Sequence, residues 1–87
     1  MKLNEKFISY NSENDSVLVP VGNTDFSGVV RGNKTFGFIL DCLSEDITET
    51  ELAKKMRSQF KNADESSIQA DIDKTLKGLR KIGALDE

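Results

Sequence analysis

The chain has 87 residues, 37% of them hydrophobic and 31% charged, with a formal charge of −3 at pH 7. That length serves one hydrophobic core, so residues 1–87 read as a single domain, and the balance excludes a disordered or fibrous chain. The sequence holds one Cys and no His, which removes an internal disulfide, the commonest general base and the commonest metal ligand.

No apolar run approaches the roughly 18 residues of a membrane span, so no membrane partner is expected. Met1-Lys2-Leu3-Asn4-Glu5-Lys6 lacks the apolar core of a secretory signal. With a single Cys, a reducing cytoplasm is the expected compartment. The isoelectric point near 4.9 weighs against nucleic acid as the main partner.

In chain order, Phe7-Ile8-Ser9-Tyr10 is the first strand signal, aromatic and β-branched, ending at the turn-forming residues 11–15. Val17-Leu18-Val19-Pro20-Val21 is the second; Pro20 cannot donate a ladder hydrogen bond and belongs at a strand end or an edge. After a turn at 22–25, residues 26–31 give the third, and two compact loops between three short strands predict an antiparallel meander.

The remainder predicts three helices. Asn33 can cap the first, whose Phe36, Ile39, Leu40 and Leu43 recur at helical spacing, and Ser44-Glu45-Asp46 breaks it. Thr48 and Glu51 have capping-box spacing ahead of the second, with Ile47 and Leu52 placed as a hydrophobic staple. Its apolar stripe is Leu52, Met56 and Phe60. The third runs from about residue 64 or 66 to 82 on Ile68, Ile72, Leu76, Leu79 and Ile82. Its acids precede its bases, which complements the helix dipole, and Gly83 stands at the C′ position. The order is βββααα, an α+β arrangement.

These residues offer little catalysis. The acids are spread over helix faces, where carboxylates are ordinarily solvated or cap helices. Cys42 is the only strong nucleophile and has no His to activate it, so it reads as a buried structural thiol. Gly28, Gly32 and Gly37 make no phosphate loop, because no Lys-Ser/Thr follows. The chain therefore reads as a non-enzyme without metal or cofactor.

Two binding readings remain. Three helices and a small sheet can build a winged helix-turn-helix, with Lys54, Lys55, Arg57, Lys61, Lys74, Lys77, Arg80 and Lys81 as phosphate contacts in a DNA-binding transcriptional regulator. Each of those helices also carries acids, and the chain is negative. Alternatively, Phe26, Ser27, Gly28, Val29, Val30 and Arg31 form an unblunted edge strand that accepts an extended peptide. A central strand with Gly28 as a bulge accounts for that segment equally well.

The stretch from Asp25 to Thr35, followed by Phe36-Gly37-Phe38-Ile39-Leu40, resembles the PqqD-like family: a strand with a Gly leads into an Asn-x-Thr helix start and an apolar Ile-Leu segment. The capped second helix and the ending Leu79-Arg80-Lys81-Ile82-Gly83-Ala84-Leu85 are similar as well, so the resemblance covers residues 7–85. Gly32 and Lys34 depart from the family pattern, where many members have Leu and Glu. The resemblance implies a winged helix-turn-helix-like RiPP recognition element for ribosomally made, post-translationally modified peptides. Such a domain is a non-catalytic peptide chaperone that holds the leader of a precursor peptide and presents it to a maturase, often a radical SAM enzyme. It also implies that the leader adds to the third strand, residues 26–31, in a cleft walled by the third helix. On that helix Gln69, Asp73, Leu76 and Arg80 lie along one line beside the core stripe and are the candidate wall. Leu76 reads equally as core. Arg80 and Lys77 are candidate partners for leader acids. Phe26, Gly28 and Val30 share one face of the strand, and Ser27, Val29 and Arg31 share the other; either can face the helices.

Overall fold

A computed structural model describes every residue except Asn14, Asn23 and Asp25. The predicted turns at 11–15 and 22–25 fall in part on these three and to that extent lie outside the described residues. The described residues form five strands and three helices, in the order β1 (Lys2–Leu3), β2 (Phe7–Asn11), β3 (Ser16–Pro20), β4 (Val30–Gly32), α1 (Lys34–Cys42), α2 (Glu49–Gln59), α3 (Glu65–Lys81) and β5 (Leu85–Asp86). The α+β arrangement expected from the sequence is present: β2, β3 and β4 form an antiparallel sheet in that order, followed by the helices. The small β1–β5 ladder is an addition, pairing Leu3 with Leu85. Two-residue strands carry no readable alternation, so periodicity does not reveal it.

Local chemistry starts each helix. The Asn33 side chain accepts from the Phe36 N–H at 3.0 Å, and the Asp64 carboxylate accepts from the Ser67 N–H at 2.8 Å. Thr48 and Glu51 close a reciprocal capping box, both bonds at 3.1 Å, leaving fewer first-turn donors unpaired. Ile47 and Leu52, the staple pair, are both buried.

The core lies between the inner sheet face and the helices, built on Leu18, Ile39, Leu40, Leu43, Leu52, Met56, Ile72, Leu76 and Leu79. Phe38 and Phe60 meet edge to face at 5.5 Å between centroids, joining α1 to the end of α2. Helix α1 approaches the hairpin so closely that a Cβ on Gly37 would lie 2.8 Å from Asn11 Oδ1 and 2.9 Å from Ser16 Cβ. Buried Ser16 donates there to Asn11 Oδ1 at 2.7 Å, and Asn11 Nδ2 donates to the Asp41 carboxylate at 3.2 Å. The sheet and α1 are thus tied by polar groups that satisfy one another.

The third strand is shorter than expected. Pairing with β3 runs only from Gly32 to Val30, and residues 26–29 do not extend it. The register explains where it stops. The Val21 N–H donates to the Lys6 carbonyl, and alternation along β2–β3 then turns the main-chain groups of Ser16, Leu18 and Pro20 toward β4. In that register Gly28 falls opposite Pro20, which has no N–H to give, and Gly28 sits at φ 119°, outside any strand conformation. Both partners of the next ladder rung fail together.

A groove between an open strand edge and a helix

The same alternation settles the two faces of β4. Val30 is cross-strand neighbour to buried Leu18, so it points inward, while Arg31 lies across from Val17 on the outer face. Because the main-chain groups of Val30 and Gly32 are turned to β3, those of Val29 and Arg31 point away from the sheet. This open edge looks across a groove of about 320 Å³ toward α3.

The floor of the groove is apolar, made by Val30, Phe36, Leu79 and Ile82, with Thr75 and Gly78 between them. Arg31, Asp71 and Lys74 stand at its rim. Two glycines set its width. A Cβ on Gly32 would lie 2.5 Å from Phe36 Cγ, so only Gly lets that ring fold back under the strand-to-helix corner. A Cβ on Gly78 would meet no atom within 4 Å. Gly in a helix interior costs about 1 kcal/mol relative to Ala, and nothing packed against Gly78 explains its presence in the fold.

The strand residues proposed from the sequence divide at Gly28. Val30 and Arg31 line the groove; Val29, exposed, continues the edge. Ser27 and Gly28 are exposed, and Phe26 is half-buried with its ring 6.1 Å from that of Phe7, on the hairpin. The helix residues proposed from the sequence do not line this groove. Gln69, Asp73 and Arg80 lie on the opposite flank of the core stripe from the groove. Leu76 is buried core. Gln69 donates to Asp73 at 2.9 Å and reaches Glu49 on α2, while Arg80 pairs with Glu87 at 2.9 Å. The side that faces β4 carries Asp71, Lys74, Thr75, Gly78 and Ile82. Both flanks of an amphipathic helix are polar lines beside the same stripe, so helical spacing alone cannot choose between them. Gly78 is the signal within the sequence that could have done so.

The remaining chemistry is quiet. Burial raises the Cys42 thiol above its ordinary range, against the opposing pull of Lys55, which keeps it protonated and unreactive. Among the described residues no group of three or more His, Cys, Asp or Glu side chains is placed to hold a metal. Among the described residues no helix is long and apolar enough to cross a membrane. Of the bases that a DNA contact would use, Arg57 is held by Glu65 at 2.6 Å and Arg80 by Glu87.

No family model and no curated protein matches the chain. Among solved structures, TbiB1 in complex with the TbiA(beta) leader peptide is similar, with a TM-score of 0.78 and 16% identity over 99% of this chain and 95% of that one. At that identity the likeness is one of fold, and it extends end to end: the chain shares its α+β fold, a three-stranded antiparallel sheet followed by three helices, with a protein whose structure was solved in complex with a leader peptide.

Proposed function

We propose that the chain is a non-catalytic recognition element that takes the leader of a ribosomally made precursor peptide as an added strand on β4. It would then present the peptide to a modifying enzyme. The observation that carries this reading is the open β4 edge, with Val29 and Arg31 turned outward above an apolar groove walled by α3. Main-chain groups of an extended peptide pair with the edge, and alternate side chains enter the groove. The PqqD-like resemblance and the leader peptide held by the structurally similar TbiB1 both support peptide capture. A radical SAM enzyme is the maturase that the resemblance implies. Val29, Val30 and Arg31 supply the strand side of the site. Asp71, Lys74, Thr75, Gly78, Leu79 and Ile82 supply the helix side, and Lys74 and Arg31 offer charge to leader acids.

The test is an NMR titration of labelled protein with the leader of a short precursor peptide encoded beside its gene. Saturable amide shifts at residues 29–33 and 71–82, with a Kd of roughly micromolar or tighter, are the expected result. Shifts confined to other surfaces, or shifts with duplex DNA at low salt and none with peptide, overturn it.

A further inference from the structure

The sheet has a second edge, and it lies on the side away from the groove. Among the described residues strand β2 is paired only with β3, and its residues Phe-Ile-Ser-Tyr-Asn include no Lys, no Pro and no charge. Those are the devices by which exposed edges are normally protected from pairing. Its outer face is also apolar, with Ile8 and Tyr10 exposed at 42% and 59% beside their cross-strand neighbours Val19 and Val17 on β3.

We propose that β2 is a self-association edge, on which two copies of this chain pair antiparallel about Ser9. The ladder fixes which groups are available. Ile8 and Tyr10 direct their main-chain groups to β3, so Phe7, Ser9 and Asn11 direct theirs outward. The Phe7 N–H is taken by the Asn4 carbonyl at 3.1 Å, leaving the Phe7 carbonyl, both groups of Ser9 and the Asn11 N–H. With Ser9 opposite the partner's Ser9, the two exchange both bonds, and each Asn11 N–H meets the partner's Phe7 carbonyl. That register sets Ile8 across from the partner's Tyr10 on the outer face, twice by symmetry, an aliphatic–aromatic pairing of the kind that stabilises sheets. A second copy is the occupant because the strand complements itself in donors, acceptors and side chains. An uncharged edge is also where two molecules of net charge −3 meet with least repulsion. The combined sheet runs β4-β3-β2-β2-β3-β4, so both grooves stay at its free ends. A contact of five residues per copy falls below the area of a permanent interface, so the dimer is weak and concentration-dependent. The inference does not rest on peptide binding.

Sedimentation velocity between about 10 and 500 µM, the range in which small interfaces form, tests it on the protein alone. The mass is expected to rise from 9.7 kDa toward twice that value. Ile8→Lys and Ser9→Pro, the first changing the outer face and the second only the outward N–H, should each hold the protein at monomer mass with its circular dichroism unchanged. Val29→Pro should leave the dimer intact. A wild type that stays at 9.7 kDa throughout overturns the proposal. So does a dimer that survives both β2 substitutions, or one that Val29→Pro abolishes, since the contact would then lie on β4.

Discussion

Gly78 separates what the fold requires from what the groove requires. Its Cβ would enter open space, so nothing in the folded chain objects to a larger residue there. Gly78→Ala should raise stability by about 0.5–1 kcal/mol, because Ala has less backbone freedom to lose and is the better helix former. The same methyl group would stand in the groove beside Thr75 and Leu79, so leader affinity should fall. Urea unfolding and a peptide titration on one preparation read both numbers. A variant that is more stable and binds as well as the wild type would show that the groove floor at Gly78 is not used. Gly37 behaves in the opposite way: a Cβ there meets Ser16 and Asn11, and its smallness belongs to the packing of α1 on the hairpin.

Strand β4 owes its usefulness to being an incomplete element. Its alternation gives a proline scan with a definite pattern. At Val29 or at Arg31, proline removes an outward N–H and leaves the β3 ladder whole, so leader affinity should drop about three- to tenfold per lost hydrogen bond while the thermal midpoint is little changed. At Val30 the same change removes a ladder bond and should lower the midpoint. Isothermal titration and thermal melts distinguish the three; equal behaviour at all positions would mean that the peptide does not add as a strand. Much of this was legible in the sequence. The three-helix register, the Asn33 and Thr48 caps and the meander follow from spacing and capping chemistry, whereas the lack of blunting residues before Arg31 fits an open edge and a central strand equally, and the register of β4 is what distinguishes them. The length of the strand was not legible. Phe26, Val29 and Val30 favour a strand on either side of Gly28, and only the register places Gly28 against Pro20. The groove face of α3 was hidden for a related reason: Gln69, Asp73 and Arg80 are as well spaced as Asp71, Lys74 and Gly78, and which flank meets β4 depends on how the helix docks.

Over the whole molecule, electrostatics shape the response to pH. Five carboxylates are held below their ordinary range: Asp46 by the N-terminal ammonium, Glu51 by the Thr48 N–H, Asp64 by the Ser67 N–H, Glu65 by Arg57 and Glu87 by Arg80. A group whose pKa falls on folding contributes stability that is complete above its unfolded value and is lost as pH drops through its folded value. The chain has no His, so nothing of its kind titrates between pH 5 and 8. The thermal midpoint should therefore be flat between about pH 6 and 8 and fall below about pH 4, as calorimetry across that range would show. A transition near pH 6.5 would contradict this.

The rung that fails between Pro20 and Gly28 also bears on time. A peptide held on β4 has only the short stretch of main chain from Val29 to Arg31 to pair with, and its grip depends on a few side chains in the groove. At a Kd near 1 µM and an association rate constant of about 10⁶ M⁻¹ s⁻¹, such a complex lasts about one second. A longer edge, with more main-chain bonds to break, would hold its guest longer and delay the next one. If a leader adds to β4 as proposed, the truncated edge would let one molecule release each peptide within seconds and take up the next.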